Sequence, residues 1–244
     1  MVSKANLISD WKFDETSGNA ADAHGSNTLT ASGSPGTTTG KLSNCRTYDG
    51  FTQWFSIADN ASLSTGNIDF WFTCWVYLAN KSGYRAIMGK DKPTGNQRES
   101  LLFYDVGVDR FALALFSDGT SGSAIQVNAS SAPSINTWYF ISAGHSATND
   151  FASISINAGT RVTTSHSAGV FDSTAAFMIG SRDNADLFWN GRIDEAAFWK
   201  RELSTQDETD LYNSGSGLGY DSLTADAVHV IGGGVGGSSW VIAA

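Results

Sequence analysis

Two pairs of adjacent carboxylates, Asp14-Glu15 and Asp194-Glu195, are the residues of this 244-residue chain best suited to acid–base chemistry. Two carboxyl groups about 5–5.5 Å apart can flank a glycosidic bond as acid and nucleophile. On a strand that geometry calls for positions i and i+2, because neighbours leave opposite faces. Both pairs are neighbours, and no Glu-x-Asp-x-Glu arrangement occurs. The four histidines, His24, His145, His166 and His229, lack a nucleophile context and are read as solvated loop residues. The glycine run at 232–237 lacks the Lys-Ser/Thr of a phosphate-binding loop. The chain is therefore read as non-enzymatic.

Binding chemistry has more to work with. Calcium takes six to eight oxygens from carboxylates, amides and carbonyls, and Asp22 and Asn27 flank a tight turn at Gly25. The same two residues also suit ordinary Asx turns. Further loop acids stand at Asp118, Asp183 and Asp186, beside Arg182 and Asn184. Sugars stack on aromatic rings, and the chain has eight tryptophans. Trp11, Trp75, Trp138 and Trp199 fall at core spacing in strands, whereas Trp54, Tyr84 and Trp189 lie beside turns and are the candidate sugar platforms.

The elements that must position these residues are strands. Alternation or continuous apolar runs mark 7–13, 69–77, 85–89, 100–104, 110–116, 124–127, 138–143, 151–157, 161–165 and 176–180. The 69–77 run is apolar on both faces, as a strand buried between two layers is. Turns are marked at Ser117-Asp118-Gly119, Asn157-Ala158-Gly159 and Asn190-Gly191. One short helix is expected after Ser204, with Asp207 completing a capping box. Composition agrees: charged residues are 16%, below the roughly 25% of ordinary domains, with 26 glycines and 3 prolines.

Net charge is −9, which opposes nucleic acid and anionic membranes as partners. Cys45 and Cys74 lack metal-ligand spacing and are read as small buried thiols. Residues 1–6 contain no apolar secretory core, and no run approaches the roughly 18 apolar residues of a membrane span. The expectation is a chain made in the cytosol.

Between Leu7 and Tyr212, motifs in order resemble the laminin G-like, concanavalin A-like jelly-roll family of bacterial and phage proteins. These are Trp11-Lys12-Phe13-Asp14-Glu15, the Asp22-to-Asn27 loop, Tyr48-Asp49-Gly50, Phe72-Thr73-Cys74-Trp75-Val76, Asn136-Thr137-Trp138-Tyr139, Phe177-Met178-Ile179-Gly180 and, most closely, Gly191-Arg192-Ile193-Asp194-Glu195-Ala196-Ala197-Phe198-Trp199. Arg46 departs from the pattern, since an apolar residue is usual there. The resemblance implies an all-β, two-sheet antiparallel β-sandwich with one short C-terminal helix. It also implies a structural calcium near the chain ends, with Asp194 joining Asp22 and Asn27, and a fold that some glucanases share.

The domain is expected over residues 1–220, followed by a tail over 221–244 that holds the 232–237 glycine run and ends Trp240-Val241-Ile242-Ala243-Ala244. That apolar end suits docking on a protein partner, whether a capsid or tail protein or a second copy. The resulting expectation is a recognition or scaffold protein of a phage virion surface, a head or tail decoration protein that contacts glycans. The alternative is a calcium-assisted carbohydrate-binding module, with a glycoside hydrolase third.

Overall fold

The structure, a computed structural model, describes residues 1–183 and 186–225. The expected docking segment and His229 lie outside the described residues.

Among the described residues fifteen strands, numbered in chain order, form two antiparallel sheets. The eight-stranded sheet contains β1 (Leu7–Trp11), β3 (Gly36–Thr39), β4 (Asn44–Asp49), β6 (Phe70–Leu78), β11 (Trp138–Ser146), β12 (Phe151–Ile156), β13 (Val162–Ser165) and β15 (Asn190–Trp199), ordered β13-β12-β11-β6-β15-β4-β3. The seven-stranded sheet contains β2 (Thr30–Ser32), β5 (Trp54–Ile57), β7 (Arg85–Lys92), β8 (Gln97–Asp105), β9 (Arg110–Phe116), β10 (Ala124–Asn128) and β14 (Phe177–Ile179), ordered β10-β9-β8-β7-β14-β5-β2. The expected sandwich is thus the observed one.

Alternate residues of both sheets meet in one core that includes Trp11, Phe72, Leu102, Leu113, Phe177 and Phe198. The other face of the eight-stranded sheet is also apolar, with Trp71, Trp75, Phe140 and Trp199 beneath Leu203, Leu211 and Leu223. This second layer explains why β6 is apolar along nearly its whole length: β11 and β15 flank it, and both of its faces are covered. The covering helix α1 (Thr205–Tyr212) starts at the expected box. Asp207 N–H donates to Ser204 Oγ at 3.1 Å, and Ser204 N–H donates to Asp207 Oδ2 at 2.9 Å.

The chain ends are stitched together. Lys4 N–H donates to the Thr224 carbonyl and Thr224 N–H to that of Val2, both at 2.9 Å. Residues 2–4 are thereby joined to Thr224, in the segment expected as the start of the tail.

Arg46 is fully buried. Its guanidinium donates to the carbonyls of Glu15, Gly18 and Pro35, so a charge at an apolar position ties down two loops. Cys45 and Cys74 are free and buried, and burial, with the Asp194 charge adding, pushes the Cys45 thiol up to about 12. Two histidines correct the solvated reading. His145 and His166 are buried with ring centroids 5.1 Å apart, because His145 lies within β11 and His166 just after β13, where the Ile68 and Gly169 carbonyls face their rings. Among the described residues no helix is long and apolar enough to cross a membrane.

Candidate functional site

A sandwich sheet ordinarily turns polar residues outward. The seven-stranded sheet does not. On its outer face Ala86 of β7, Leu101 and Phe103 of β8, and Ala112, Ala114 and Phe116 of β9 form a second apolar cluster, joined by Leu187. No helix covers this face among the described residues, and what remains is a groove of about 370 Å³.

Polar groups stand at both ends of the apolar floor. At one end Arg98 donates to both oxygens of Asp91, at 3.0 and 3.2 Å, while its guanidinium lies 5.3 Å from the Phe116 ring centre. Arg182 approaches the same carboxylate at 3.8 Å and also bonds Asp186. Burial pushes the Asp91 carboxyl up, and Arg98 and Arg182 oppose that shift. At the other end Gln126 donates to Asp105 at 2.8 Å, and Asp105 accepts the Gly107 N–H at 2.8 Å. Tyr84 closes this end, 45% exposed, its ring 6.4 Å from that of Phe103. An apolar floor between planar hydrogen-bonding groups matches a sugar, whose ring faces are apolar and whose rim is hydroxyl.

The two groove acids do not converge. Asp91 faces Arg98, and Asp105 lies seven residues farther along β8 (98 to 105). At roughly 3.3 Å per residue that is a separation of about 20 Å, far beyond the glycosidase range of about 5–9.5 Å.

Of the three expected platforms, only Tyr84 lines the groove. Trp54 is half-buried on the same sheet, outside the groove, with its ring 5.7 Å from Phe188. Trp189 corrects the exposure expected of it: it is fully buried in the inter-sheet core, because its backbone N–H bonds Gly180 and carries the ring inward. Sequence reading missed Asp91, Arg98, Phe103, Asp105, Phe116 and Gln126. The available signal was that 100–104 and 110–116 are apolar on both faces, although the sheet is not sandwiched on both sides.

Asp194 and Glu195 sit where β15 passes from β1 to β4. β1 pairs with residues 196–199 and β4 with residues 190–193, so the step between them has no partner on that side. β15 bulges there, and Glu195 takes φ 45°. The bulge overturns the opposite-face argument: both carboxyls turn toward the layer beneath α1, with Asp10. Burial lifts Asp194 to about 7, against hydrogen bonds from Leu42 and Lys41. Burial and mutual repulsion also push Asp10 and Glu195 well up. The enclosed cavity lined by Asp10 and Glu195 measures about 10 Å³, room for one water at most and none for a sugar.

The expected calcium ligands Asp22, Asn27 and Asp194 each have partners within the protein. Asp22 accepts four backbone N–H groups, from Asp10, His24 and Gly25 on Oδ1 and Asn27 on Oδ2, which accounts for the tight turn it holds. Asn27 is brought beside it but bonds Ser9, Ser62 and Trp11. Asp194 instead accepts Lys41 and Leu42 N–H at 2.7 and 2.9 Å. Among the described residues no three His, Cys, Asp or Glu are grouped to hold a metal. Asp22→Ala should therefore lower stability by about 1–3 kcal/mol through its orphaned N–H groups, equally in calcium and in EDTA by thermal melting. A loss seen only in calcium would contradict this.

A laminin G-type family model, the concanavalin A-like lectin/glucanases superfamily, matches residues 48–207. Among solved structures, domain 4 of AbnA, a GH43 extracellular arabinanase from Geobacillus stearothermophilus, in complex with arabinotriose, is similar with TM-score 0.65 at 17% identity, covering 84% of this chain and 97% of that one. The binding domain of Paraclostridial Mosquitocidal Protein 1 gives TM-score 0.68 at 14% identity, covering 86% of this chain and 52% of that one. The binding domain of Botulinum neurotoxin DC, in complex with rat synaptotagmin II, gives 0.65 at 12% identity, with 86% and 52% covered. The chain thus spans about half the length of the two toxin domains. No curated protein matches it by sequence.

Proposed function

Since the chain belongs to the concanavalin A-like lectin/glucanase superfamily, we propose that it is a non-catalytic recognition domain that holds a neutral glycan in the groove on its seven-stranded sheet. The observation that carries this reading is the apolar outer face itself. Leu101, Phe103, Ala114 and Phe116, each 4–7% exposed, form a floor that no helix covers among the described residues, bounded by Arg98 with Asp91 and by Gln126 with Asp105. Tyr84 supplies the exposed ring.

Catalysis is set aside on two grounds. The groove acids stand far apart and are held by Arg98 and Gln126, and at the Asp194-Glu195 step Asp194 is fully buried while Glu195 lines a cavity too small for substrate. The arabinotriose named with the arabinanase domain supports a saccharide ligand by analogy of fold. A domain of this kind on a particle surface, such as a virion, would use the groove in the same way.

A glycan array tests the reading. The wild-type protein should retain neutral oligosaccharides. Tyr84→Ala and Arg98→Ala should each weaken groove binding roughly tenfold, the loss of about 1.4 kcal/mol of stacking or hydrogen bonding. Retention of no glycan, or groove variants that bind as wild type, would contradict it.

A further inference from the structure

The opposite use of polar residues occurs at the end of the sandwich where β6 begins and β11 stops. Two adjoining clefts open there, of about 700 and 440 Å³, and share Ile68 and Lys200. Asn67 and Thr148 line the first, Thr65, Asp172 and Thr174 the second. The loops that wall the second cleft are pinned from below by a buried ion pair, and the Thr148 loop of the first by half-buried Asp69.

Glu99, fully buried, accepts the N–H and hydroxyl of Thr65 and of Ser173, at 2.8–3.0 Å. Lys90, also buried, bonds Glu99 at 2.9 Å, Asp59 at 2.8 Å and the Ser173 carbonyl at 2.9 Å. His145 Nδ1 lies 3.2 Å from the Ile68 carbonyl. Asp69 accepts the Thr148 N–H and hydroxyl, both at 3.0 Å.

Burying ions is unfavourable unless their partners are complete. Here the buried ions hold two loops in one arrangement, the β5–β6 connection at Asp59 and Thr65 and the β13–β14 connection at Ser173, and these walls of the cleft are therefore set before any ligand arrives, which lowers the ordering cost of binding. We propose that this cleft is a second binding site for a neutral, polyhydroxylated ligand, a glycan unit read through its hydroxyls, separate from the groove.

The wall chemistry selects that class. Lys200 gives one N–H to the Ala61 carbonyl at 3.0 Å and keeps two donors. Asp172 lines the same cleft as Lys200, so its walls offer a hydroxyl both a donor and an acceptor. Asp69 and Asp172 outnumber the one unpaired cation among the described wall residues, Lys200, because Arg201 is tied to Asp207 and Asp59 to Lys90, both at 2.8 Å. That balance repels phosphate, sulfate and carboxylate. Exposed Ile68 gives the small apolar surface on which a ring face rests.

The test is isothermal titration with the neutral oligosaccharide bound most strongly on the array, against the wild type, the groove variant Tyr84→Ala/Arg98→Ala, and the cleft variants Ile68→Ser and Asp172→Ala. Ile68 and Asp172 are exposed, and unchanged melting confirms folding. Two sites are expected in the wild type and one in the groove variant, with the remaining site weakened at least tenfold by either cleft change. Binding lost entirely in the groove variant and unchanged in both cleft variants would overturn the second site while leaving the groove intact. A protein that binds no oligosaccharide would overturn both.

Discussion

Glu99→Ala should destabilise the domain by about 3–5 kcal/mol, the effect of removing one partner from a buried ion pair. Glu99 lies where the β7–β8 pairing slips between Lys90 and Asp91, and the slip turns its carboxylate into the protein. Alanine there leaves the Lys90 ammonium buried beside one remaining carboxylate, Asp59, and orphans the N–H groups of Thr65 and Ser173. Urea denaturation measures the change. Lys90→Met together with Glu99→Gln should recover part of it, since no charge then remains buried at the pair. A loss below about 1 kcal/mol for Glu99→Ala would mean that the network is not holding the loops.

Raising the pH from 5 to 9 should also weaken the fold, by an amount reaching several kcal/mol. Asp194 is lifted from 3.8 to about 7, and Asp10 and Glu195 are pushed up by burial and by each other. Asp22, Asp14 and Asp221 add repulsion, while Lys12 and Lys4 oppose it. A carboxyl with a raised folded pKa binds more protons folded than unfolded. Its stabilisation is full below the unfolded value near 4 and disappears as pH rises through the folded one. For Asp194 alone, about three pH units at 1.36 kcal/mol each gives roughly 4 kcal/mol as an upper figure. Asp109, held low by its hydrogen bond from Lys81, acts in the other direction below about pH 4. The optimum should therefore be weakly acidic. Asp10→Asn should flatten the slope between pH 6 and 9 in denaturant midpoints. A stability that is level or rising to pH 9 would contradict the buried, protonated cluster.

The parts of the fold that depend on local pattern were readable from sequence. The 69–77 run is apolar on both faces because β11, β15 and the layer beneath α1 surround it, and Ser204 and Asp207 cap α1 through bonds three residues apart. What was not readable comes from contacts far along the chain. The bulge at Glu195 exists because β1 hands β15 over to β4, and nothing within 190–199 reports where those strands stop. The slip at Glu99 depends in the same way on β7. Trp189 looked like a turn residue, yet its inward course follows from the bond to Gly180. The groove draws on β7, β8, β9 and β10 and on the Leu187 loop, so only Tyr84 stood out alone. His145 looked solvated although it lies in β11, because its ring partner, the Ile68 carbonyl, is distant in sequence.

The account turns on where a sugar sits. Methyl-resolved NMR of the wild-type protein, titrated with a neutral oligosaccharide retained on the array, reads that directly. The Leu101, Ala114 and Leu187 methyl signals should move together in a saturable way, with the oligosaccharide recovered uncleaved. Groove methyls that stay still at saturation, or cleaved sugar in the tube, would contradict a non-catalytic recognition groove on this sheet.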